Sequence, residues 1–455
     1  MTLDIVILAA GKGTRMKSNR PKILHKIAGQ SMLSHVIKTA NKLNCDCLHV
    51  VTGHGAELVA KEFVDHKEIN FIAQEQQLGT GHAVQQCLPH LQDDSITLIL
   101  YGDVPLIATE TLTRLLGHVG DNALGLLTIE MQEPTGYGRI VRDEKNAVKN
   151  ITEQKDATDK EREIKEVNTG IVAVTTKSLQ KWLPKLSNNN IQGEYYLTDI
   201  IAMAVADNVA VITENPNNEW EVIGVNNRVQ QAQLERVYQR QQALRLMEQG
   251  VSLLDPERFD CRGELNCGND VIIDINCVFE GVNQLGNGVL IGQNCLIKNS
   301  TIADNTIVHA NSILEEAIVG DCCLIGPFAR LRPGTILKQA AKIGNFVETK
   351  KAHIGKGSKV NHLSYIGDAV LGEDVNIGAG TITCNYDGVN KHKTMIDDGA
   401  FVGSNTALVA PLTIGSGATI GAGSTVNKNV EKDALTLTRS PQKTIKAWLR
   451  PVKKK

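Results

Sequence analysis

Between Ile273 and Val426 an aliphatic residue returns every six positions, and very few folds can be built on that period. Ile273, Phe279, Leu285, Ile291 and Ile297 open the series, and after a one-residue slip Ile302, Val308 and Leu314 continue it. It resumes at Val319, Ile325, Leu331, Leu337 and Ile343, then at Ile354, Val360 and Ile366, then at Leu371 and Ile377. Ile396, Val402, Leu408, Ile414, Ile420 and Val426 close it. A small or β-branched residue usually sits four beyond the lead, as with Cys295, Ser312, Ala329 and Thr406. An amphipathic helix repeats every third or fourth residue and a half-buried strand every second, so neither explains the pattern. A triangular coil does: three hexads make one turn, and the inward leads of each turn stack on the next. The expectation is a parallel β-helix of hexapeptide repeats.

The 455 residues exceed the roughly 250–300 at which a single core stops growing, so at least two domains are expected. No hexads precede Ile273, which puts a boundary upstream of it. A formal net charge of −2 implies no general attraction to nucleic acid, and no apolar span is long enough for membrane insertion. The ten cysteines include no C-x-x-C, and Cys45/Cys47 and Cys322/Cys323 have the wrong spacing for a zinc knuckle or a redox pair. Cys277, Cys295 and Cys323 fall on the small-residue position of hexads and read as buried packing atoms in a reducing cytoplasm.

Asp4–Ala10 is a short apolar run that ends in Gly11-Lys12-Gly13-Thr14-Arg15-Met16. A strand running through a glycine-rich turn into a helix offers backbone N–H groups to phosphate. The run is not a Walker A loop, nor a dinucleotide fingerprint, because Met16 stands where the third glycine belongs. Lys12, Arg15 and Lys22 are cations placed to suit a triphosphate, whereas lone histidines such as His25 and His54 read as structural or surface residues. Strand-like runs follow at Leu48–Thr52, Ile69–Ala73, Ile96–Tyr101, Ala123–Glu130 and Ile171–Val174, with helical patterns at Met32–Leu43, Ala56–Val64, Gly81–Leu88 and Thr109–Leu116. That alternation predicts a mainly parallel α/β sheet binding ligand beyond the carboxyl ends of its strands. Gln77-Leu78-Gly79-Thr80-Gly81 and Leu100-Tyr101-Gly102-Asp103 fall there, and Asp103 stands where Mg²⁺ on a nucleotide would need a carboxylate.

Residues 228–249 lack Gly and Pro and stop at Gly250, which predicts a helix with a glycine C-cap and a thin apolar face of Val229, Ala232, Val237, Leu244 and Met247. Within the β-helix the expected exceptions to plain scaffold are Gln339–Lys342, read as interrupting a coil, and Thr383–Met395, read as a projecting loop. Polar and cationic residues gather nearby in the sequence. Arg332, Lys350 and Lys391 suit a phosphate, and His362 suits proton transfer near neutral pH.

Leu8–Met16 with Pro21-Lys22 resembles the signature of the sugar-1-phosphate nucleotidylyltransferases. Gln77–Gly81, Tyr101-Gly102-Asp103, Thr135–Arg139, Glu153, Asn168-Thr169-Gly170 and Gly224–Arg228 match it in order. With the hexads attached, the whole chain resembles the bacterial enzymes that join N-acetylglucosamine-1-phosphate uridylyltransferase to glucosamine-1-phosphate N-acetyltransferase. The resemblance implies a Rossmann-like nucleotidylyltransferase domain over 1–227, a helical linker over 228–250 and a left-handed β-helix acetyltransferase domain over 251–455. It implies that UTP or UDP-N-acetylglucosamine meets Leu8, Ala9, Ala10, Gly11, Lys22, Gln74, Gly79, Thr80, Tyr101, Gly102, Asp103, Gly138, Glu153, Asn168 and Asn226. Asp103 and Asn226 would hold Mg²⁺, and Arg15 and Lys22 would offset charge as pyrophosphate leaves. In the β-helix it implies His362 as proton acceptor, with Arg332, Lys350, Tyr365, Asn376 and Lys391 on glucosamine-1-phosphate. Ala379, Asn385, Tyr386, Ser404, Ala422 and Arg439 would meet acetyl-CoA, in a cytoplasmic homotrimer supplying peptidoglycan and lipopolysaccharide precursors. Two other readings are a single-activity pyrophosphorylase with an oligomerising β-helix and a non-enzymatic regulatory subunit. The first would lack the His362/Lys350/Asn385-Tyr386 group, the second also Arg15, Lys22 or Asp103, and this chain has them all.

Overall fold

The computed structural model describes residues 2–453, and the chain divides into two compact units between Tyr238 and Gln239.

The first unit is built on one sheet whose main path runs Ala210–Glu214, Ala123–Glu130, Glu166–Thr175, Ser95–Tyr101, Thr2–Ala9, Cys47–Thr52, Ile69–Ala73. Alternation along Thr2–Ala9 sets its layering. Ile5 and Ile7 pack with Leu33, Val36 and Ile37 of the helix Met32–Asn41 on one face. Val6 and Leu8 pack with Leu179 and Trp182 of Thr176–Trp182, and with Ile200 and Ile201 of Asp199–Ala206, on the other. Both faces are covered, as a continuously apolar strand requires. The sheet is less parallel than the alternation of elements implied, because Glu166–Thr175 runs antiparallel to both of its neighbours.

One expectation is corrected at the glycine-rich loop. It leads into a single 3-10 turn, Thr14–Met16, and not into an α-helix. Gly13 (φ 58°) and Lys17 (φ 48°) take left-handed conformations on either side, which stops the turn from propagating. The helix-terminus argument for phosphate binding therefore does not apply to this loop.

In the second unit none of the six-residue leads from Ile273 to Val426 is more exposed than the 4% of Leu285. They stack on parallel rungs, for example Ile273 on Ile291, Val308, Ile325, Ile343, Val360 and Ile377. The architecture is the expected left-handed parallel β-helix, and it is longer than the hexads alone. Phe259–Cys267 pairs in parallel with Cys277–Leu285 before the series, and Leu435–Thr436 pairs with Thr419–Ile420 after it. Cys277, Cys295 and Cys323 are buried in this core, as their positions required. Gln339–Lys342 interrupts nothing: Ile325 pairs directly with Ile343, and Ala340 turns an ordinary corner at φ 58°. The projecting loop is also shorter than expected, spanning 385–393, because Thr383 and Thr394 are buried in the strands Ile382–Cys384 and Thr394–Ile396.

The helix between the sequence motifs spans Arg228–Glu248 and ends before Gly250, whose φ is 97°. The thin apolar face read from the sequence is not what it buries, since Val229 is 67% exposed. Leu234 packs with Met16, Ile27 and Val225 in the first unit. Ala243 and Leu246 join the core of the second, where Gln239 Nε2 donates to the Cys261 carbonyl at 3.0 Å and Oε1 accepts from its N–H at 2.7 Å. Each half serves its own unit, so no single stripe appears.

Candidate active sites

The carboxyl ends of Thr2–Ala9 and Ser95–Tyr101 open onto a cleft of about 520 Å³. Leu8, Ala9, Ala10, Gly11, Lys12, Lys22, Gln74, Gly79, Thr80, Tyr101 and Asp103 line it, joined by Ile23, Gln77, Ala83 and Glu194. Gly13 shapes the loop beside it: a Cβ there would lie 2.6 Å from Lys22 Cβ, so only glycine lets Lys22 pass behind the turn. Gln77 Nε2 donates to the Ala10 carbonyl at 2.8 Å and ties the glycine-rich loop to Gln77–Gly81. Gln74 Nε2 donates to the Gly79 carbonyl at 3.1 Å, and Thr80 Oγ1 accepts from the Leu197 N–H at 3.1 Å.

At one edge of the cleft four polar side chains meet. The Lys22 ammonium donates to Asp103 Oδ2 and, at 3.2 Å, to Asn226 Oδ1, which also accepts from Arg15 Nη2 at 2.8 Å. The Val225 N–H donates to the Asp103 carbonyl at 2.9 Å, which fixes the two segments together. Arg15, Gly102, Gly138, Glu153, Asn168 and Asn226 lie outside the cleft lining itself. Gly102 donates its N–H to the Leu8 carbonyl at 2.9 Å, and Asn168 donates its own to the Gly138 carbonyl at 2.8 Å. Glu153 accepts from Thr198 Oγ1 at 3.1 Å, and burial, with nearby carboxylates adding, pushes its carboxyl above the usual range. Burial likewise pushes the Tyr101 phenol up.

On the coil three cations draw together. The neighbouring Lys391 ammonium pulls the Lys350 ammonium below its ordinary value, and the charge of Arg332 adds to the effect. Arg332 is itself paired, Nη1 to Glu348 Oε1 at 2.8 Å. Lys350 and Tyr365 lie on one sheet of the coil, His362 and Asn376 on another. His362 Nδ1 donates to Asn345 Oδ1 at 2.8 Å.

In the projecting loop Asn385 Nδ2 donates to Asp368 Oδ2 at 2.5 Å, and Tyr386 stands 59% exposed. His392 Nε2 lies 2.8 Å from Asp387 Oδ2 and, with the Asn390 and Val389 N–H groups, holds that carboxyl far below its usual range. Ala379, Ser404 and Ala422 occupy successive rungs: the Asn405 N–H donates to Ala379 O at 2.7 Å and the Gly423 N–H to Ser404 O at 2.8 Å. Rung spacing is tight, since a Cβ on Gly378 would lie 2.5 Å from Ser404 N, and one on Gly403 2.5 Å from Ala422 N. Arg439 Nη1 donates to the Ala422 carbonyl at 2.8 Å and borders the same track.

A family model described as a MobA-like NTP transferase domain matches residues 5–163, and one described as a GMPPB C-terminal domain matches 261–348. Bifunctional protein GlmU of Saccharophagus degradans is 61% identical over 452 residues, spanning 99% of this chain and 100% of its own length. Bifunctional protein GlmU of Marinobacter nauticus is 58% identical over 451 residues and 99% of each chain. The chain belongs to the bifunctional GlmU family.

Nucleotidyltransferases of this family depend on a metal ion. The oxygens of Asp103 and Asn226 converge here on one cationic centre, the Lys22 ammonium. Hard oxygen donors aimed at a single positive charge fit a small divalent ion. Among the described residues no helix is long and apolar enough to cross a membrane. Glu194 in the cleft wall and Asn345 behind His362 were missed as site residues. Glu194 carries no motif. Asn345 lies 17 residues before His362, one turn of the coil, and coil length is the signal that finds it.

Proposed function

We propose that the two reactions of this bifunctional enzyme of UDP-N-acetylglucosamine synthesis divide between its units. The 1–227 domain transfers uridylyl from UTP to N-acetylglucosamine-1-phosphate and releases pyrophosphate. The 251–455 domain transfers acetyl from acetyl-CoA to glucosamine-1-phosphate. The observation that carries the first assignment is the meeting of Lys22, Arg15, Asp103 and Asn226 at the edge of the cleft. The attacking sugar phosphate oxygen is already anionic, so the site needs no general base; it needs alignment and relief of repulsion. Lys22 and Arg15 supply positive charge, and the Leu8–Gly11 backbone, Gln74, Gly79 and Thr80 hold the nucleotide in the cleft. Asp103 and Asn226 would hold Mg²⁺, which when bound neutralises charge developing on the leaving phosphates. Gly102, Gly138, Glu153 and Asn168 support the sugar side.

In the acetyl transfer the glucosamine nitrogen attacks the thioester carbonyl, the carbon–sulfur bond breaks, and the amine proton passes to His362 Nε2. Lys350, Lys391 and Arg332 hold the sugar phosphate, with Tyr365 and Asn376 completing the sugar site. The small residues Ala379, Ser404 and Ala422 give the pantetheine arm a close path along the coil, with Asn385, Tyr386 and Arg439 around it. A homotrimer brings coil faces of different copies together. Its support is a corner ladder in which Phe328, Phe346 and Leu363 hold left-handed φ of 55°, 57° and 48° while 49%, 55% and 62% exposed. Large apolar residues in a conformation that costs roughly 1–3 kcal/mol need a covering partner to be worth that strain. In this reading the working place is the cytoplasm. Product analysis with glucosamine-1-phosphate, acetyl-CoA, UTP and Mg²⁺ tests the assignment: the reading requires UDP-N-acetylglucosamine, and fails if either transfer is missing.

A further inference from the structure

The first unit holds a second cluster of reactive side chains at the opposite end of its sheet from the nucleotide cleft. Asp4 and Cys47 face each other in register at the starts of adjacent parallel strands, and His49 follows on the same side of its strand. One ligand atom of each lies within 4.8 Å of the others. Asp4 is 0% exposed and His49 1%, while Cys47 is partly open to solvent. Asp4 Oδ2 accepts from the Gln92 N–H and from Ser95 Oγ, each at 2.8 Å. Its other oxygen has no partner among the described residues, and neither ring nitrogen of His49 has one. Gln92 Nε2 donates to Cys47 Sγ at 3.3 Å, so the same residue touches two members of the cluster.

Buried polar atoms are almost always paired, and the unpartnered Asp4 oxygen and one of the two unpartnered His49 ring nitrogens can share a common partner. A proton on the imidazole is a poor one: burial lowers the His49 pKa, and the charge of Asp4 works against that while His90 reinforces it. We propose that Asp4, Cys47 and His49 bind a thiophilic divalent cation, zinc before the others. The charges close, since a carboxylate, a thiolate and a neutral imidazole around a dication sum to zero, which a buried site requires. Thiolate and imidazole disfavour Mg²⁺, so the site does not compete for the ion of the nucleotide cleft. Binding sends the Cys47 proton to solvent, and water fills the fourth position on the open side of Cys47. Ligand atoms about a tetrahedral zinc stand roughly 3–4 Å apart, so small side-chain rotations close the cluster. The ion fastens the starts of two central strands and, through Gln92, the segment that precedes Ser95–Tyr101. It is structural and takes no part in either transfer.

The test uses the full chain carrying Cys322→Ser, which removes the exposed thiol. Chelator-stripped protein is titrated with Co²⁺ in excess Mg²⁺ and read by thiolate-to-cobalt absorption, and zinc is counted by mass spectrometry. The expected result is one equivalent per chain with a thiolate band, abolished by Cys47→Ser and weakened at least tenfold by His49→Gln. Uridylyl transfer, which depends on the first unit, checks that the variants fold. Absence of the band in the parent, or its persistence in Cys47→Ser, overturns the proposal. So does loss of the equivalent in Asp103→Asn, which would place the ion in the nucleotide cleft. Should His49→Gln not fold, Cys47→Ser decides alone, because the partly open Cys47 tolerates an isosteric change.

Discussion

His362 Nδ1 donates to Asn345 Oδ1 at 2.8 Å, from one coil to the next. A carbonyl oxygen can only accept, so this bond keeps the proton on Nδ1 and leaves the Nε2 lone pair free. His362 is exposed on the coil, which suits a base that must meet an amine. His362→Ala is expected to lower acetyl-transfer kcat by about 10²–10⁴-fold, the usual worth of a positioned base, and to leave uridylyl transfer intact. Higher pH should restore part of the loss, because more substrate amine is then unprotonated. Asn345→Ala should give a smaller loss, in kcat more than in KM. An unchanged kcat at neutral pH in His362→Ala would mean that the base lies elsewhere.

The Lys350 cluster carries a cost in the free protein. Its ammonium sits below its ordinary pKa mainly because of Lys391, so the folded chain binds fewer protons there than the unfolded one. Stability without ligand should therefore rise as pH climbs from the lowered Lys350 pKa toward the ordinary lysine value. Lys391→Gln removes the repulsion. It should raise the melting temperature of the free protein slightly while raising KM for glucosamine-1-phosphate. Melting curves with and without inorganic phosphate check this, since the anion should stabilise the parent more than the variant.

Asp103→Asn keeps the shape of the site and removes its charge. Losing one such electrostatic element typically costs about 10²–10³-fold in kcat, and that is the expected fall in uridylyl transfer. Acetyl transfer should not change. Near-normal turnover at limiting Mg²⁺ would exclude Asp103 as a metal ligand.

The β-helix was legible because its period is covalent: each lead is fixed by its neighbours in sequence, and all of them are buried. The strands of the first unit were legible for the same reason, being continuous apolar runs. Arg139–Arg142 and Val148–Thr152 were not, because they pair antiparallel on short, half-polar stretches without a period. At the cleft, Leu8–Gly11, Lys22 and Asp103 could be read from local motifs. The junction of Asn226 with Lys22 and Arg15 joins residues separated by 204 and 211 positions, a closure that only tertiary packing creates. The helix Arg228–Glu248 was read correctly as a helix and wrongly as to its buried face, because its two halves pack in different units.

That last error changes where a stable nucleotidyltransferase fragment should be cut. A break after residue 227 discards Leu234, buried beside Met16, Ile27 and Val225, and Glu235, whose carboxylate accepts from the Ala28 N–H at 2.7 Å. Ala28 holds a left-handed φ of 48° directly after Ile27, so its N–H depends on that acceptor to keep the turn. Emptying a buried leucine site costs about 2–5 kcal/mol, a large share of the stability of a domain this size. Residues 1–238 should therefore unfold at clearly higher urea than 1–227 and retain uridylyl transfer without acetyl transfer. Leu234→Ala in the longer fragment should abolish most of that difference. If the two fragments unfold together, the first half of the helix adds nothing to this unit, and a boundary at 227 stands.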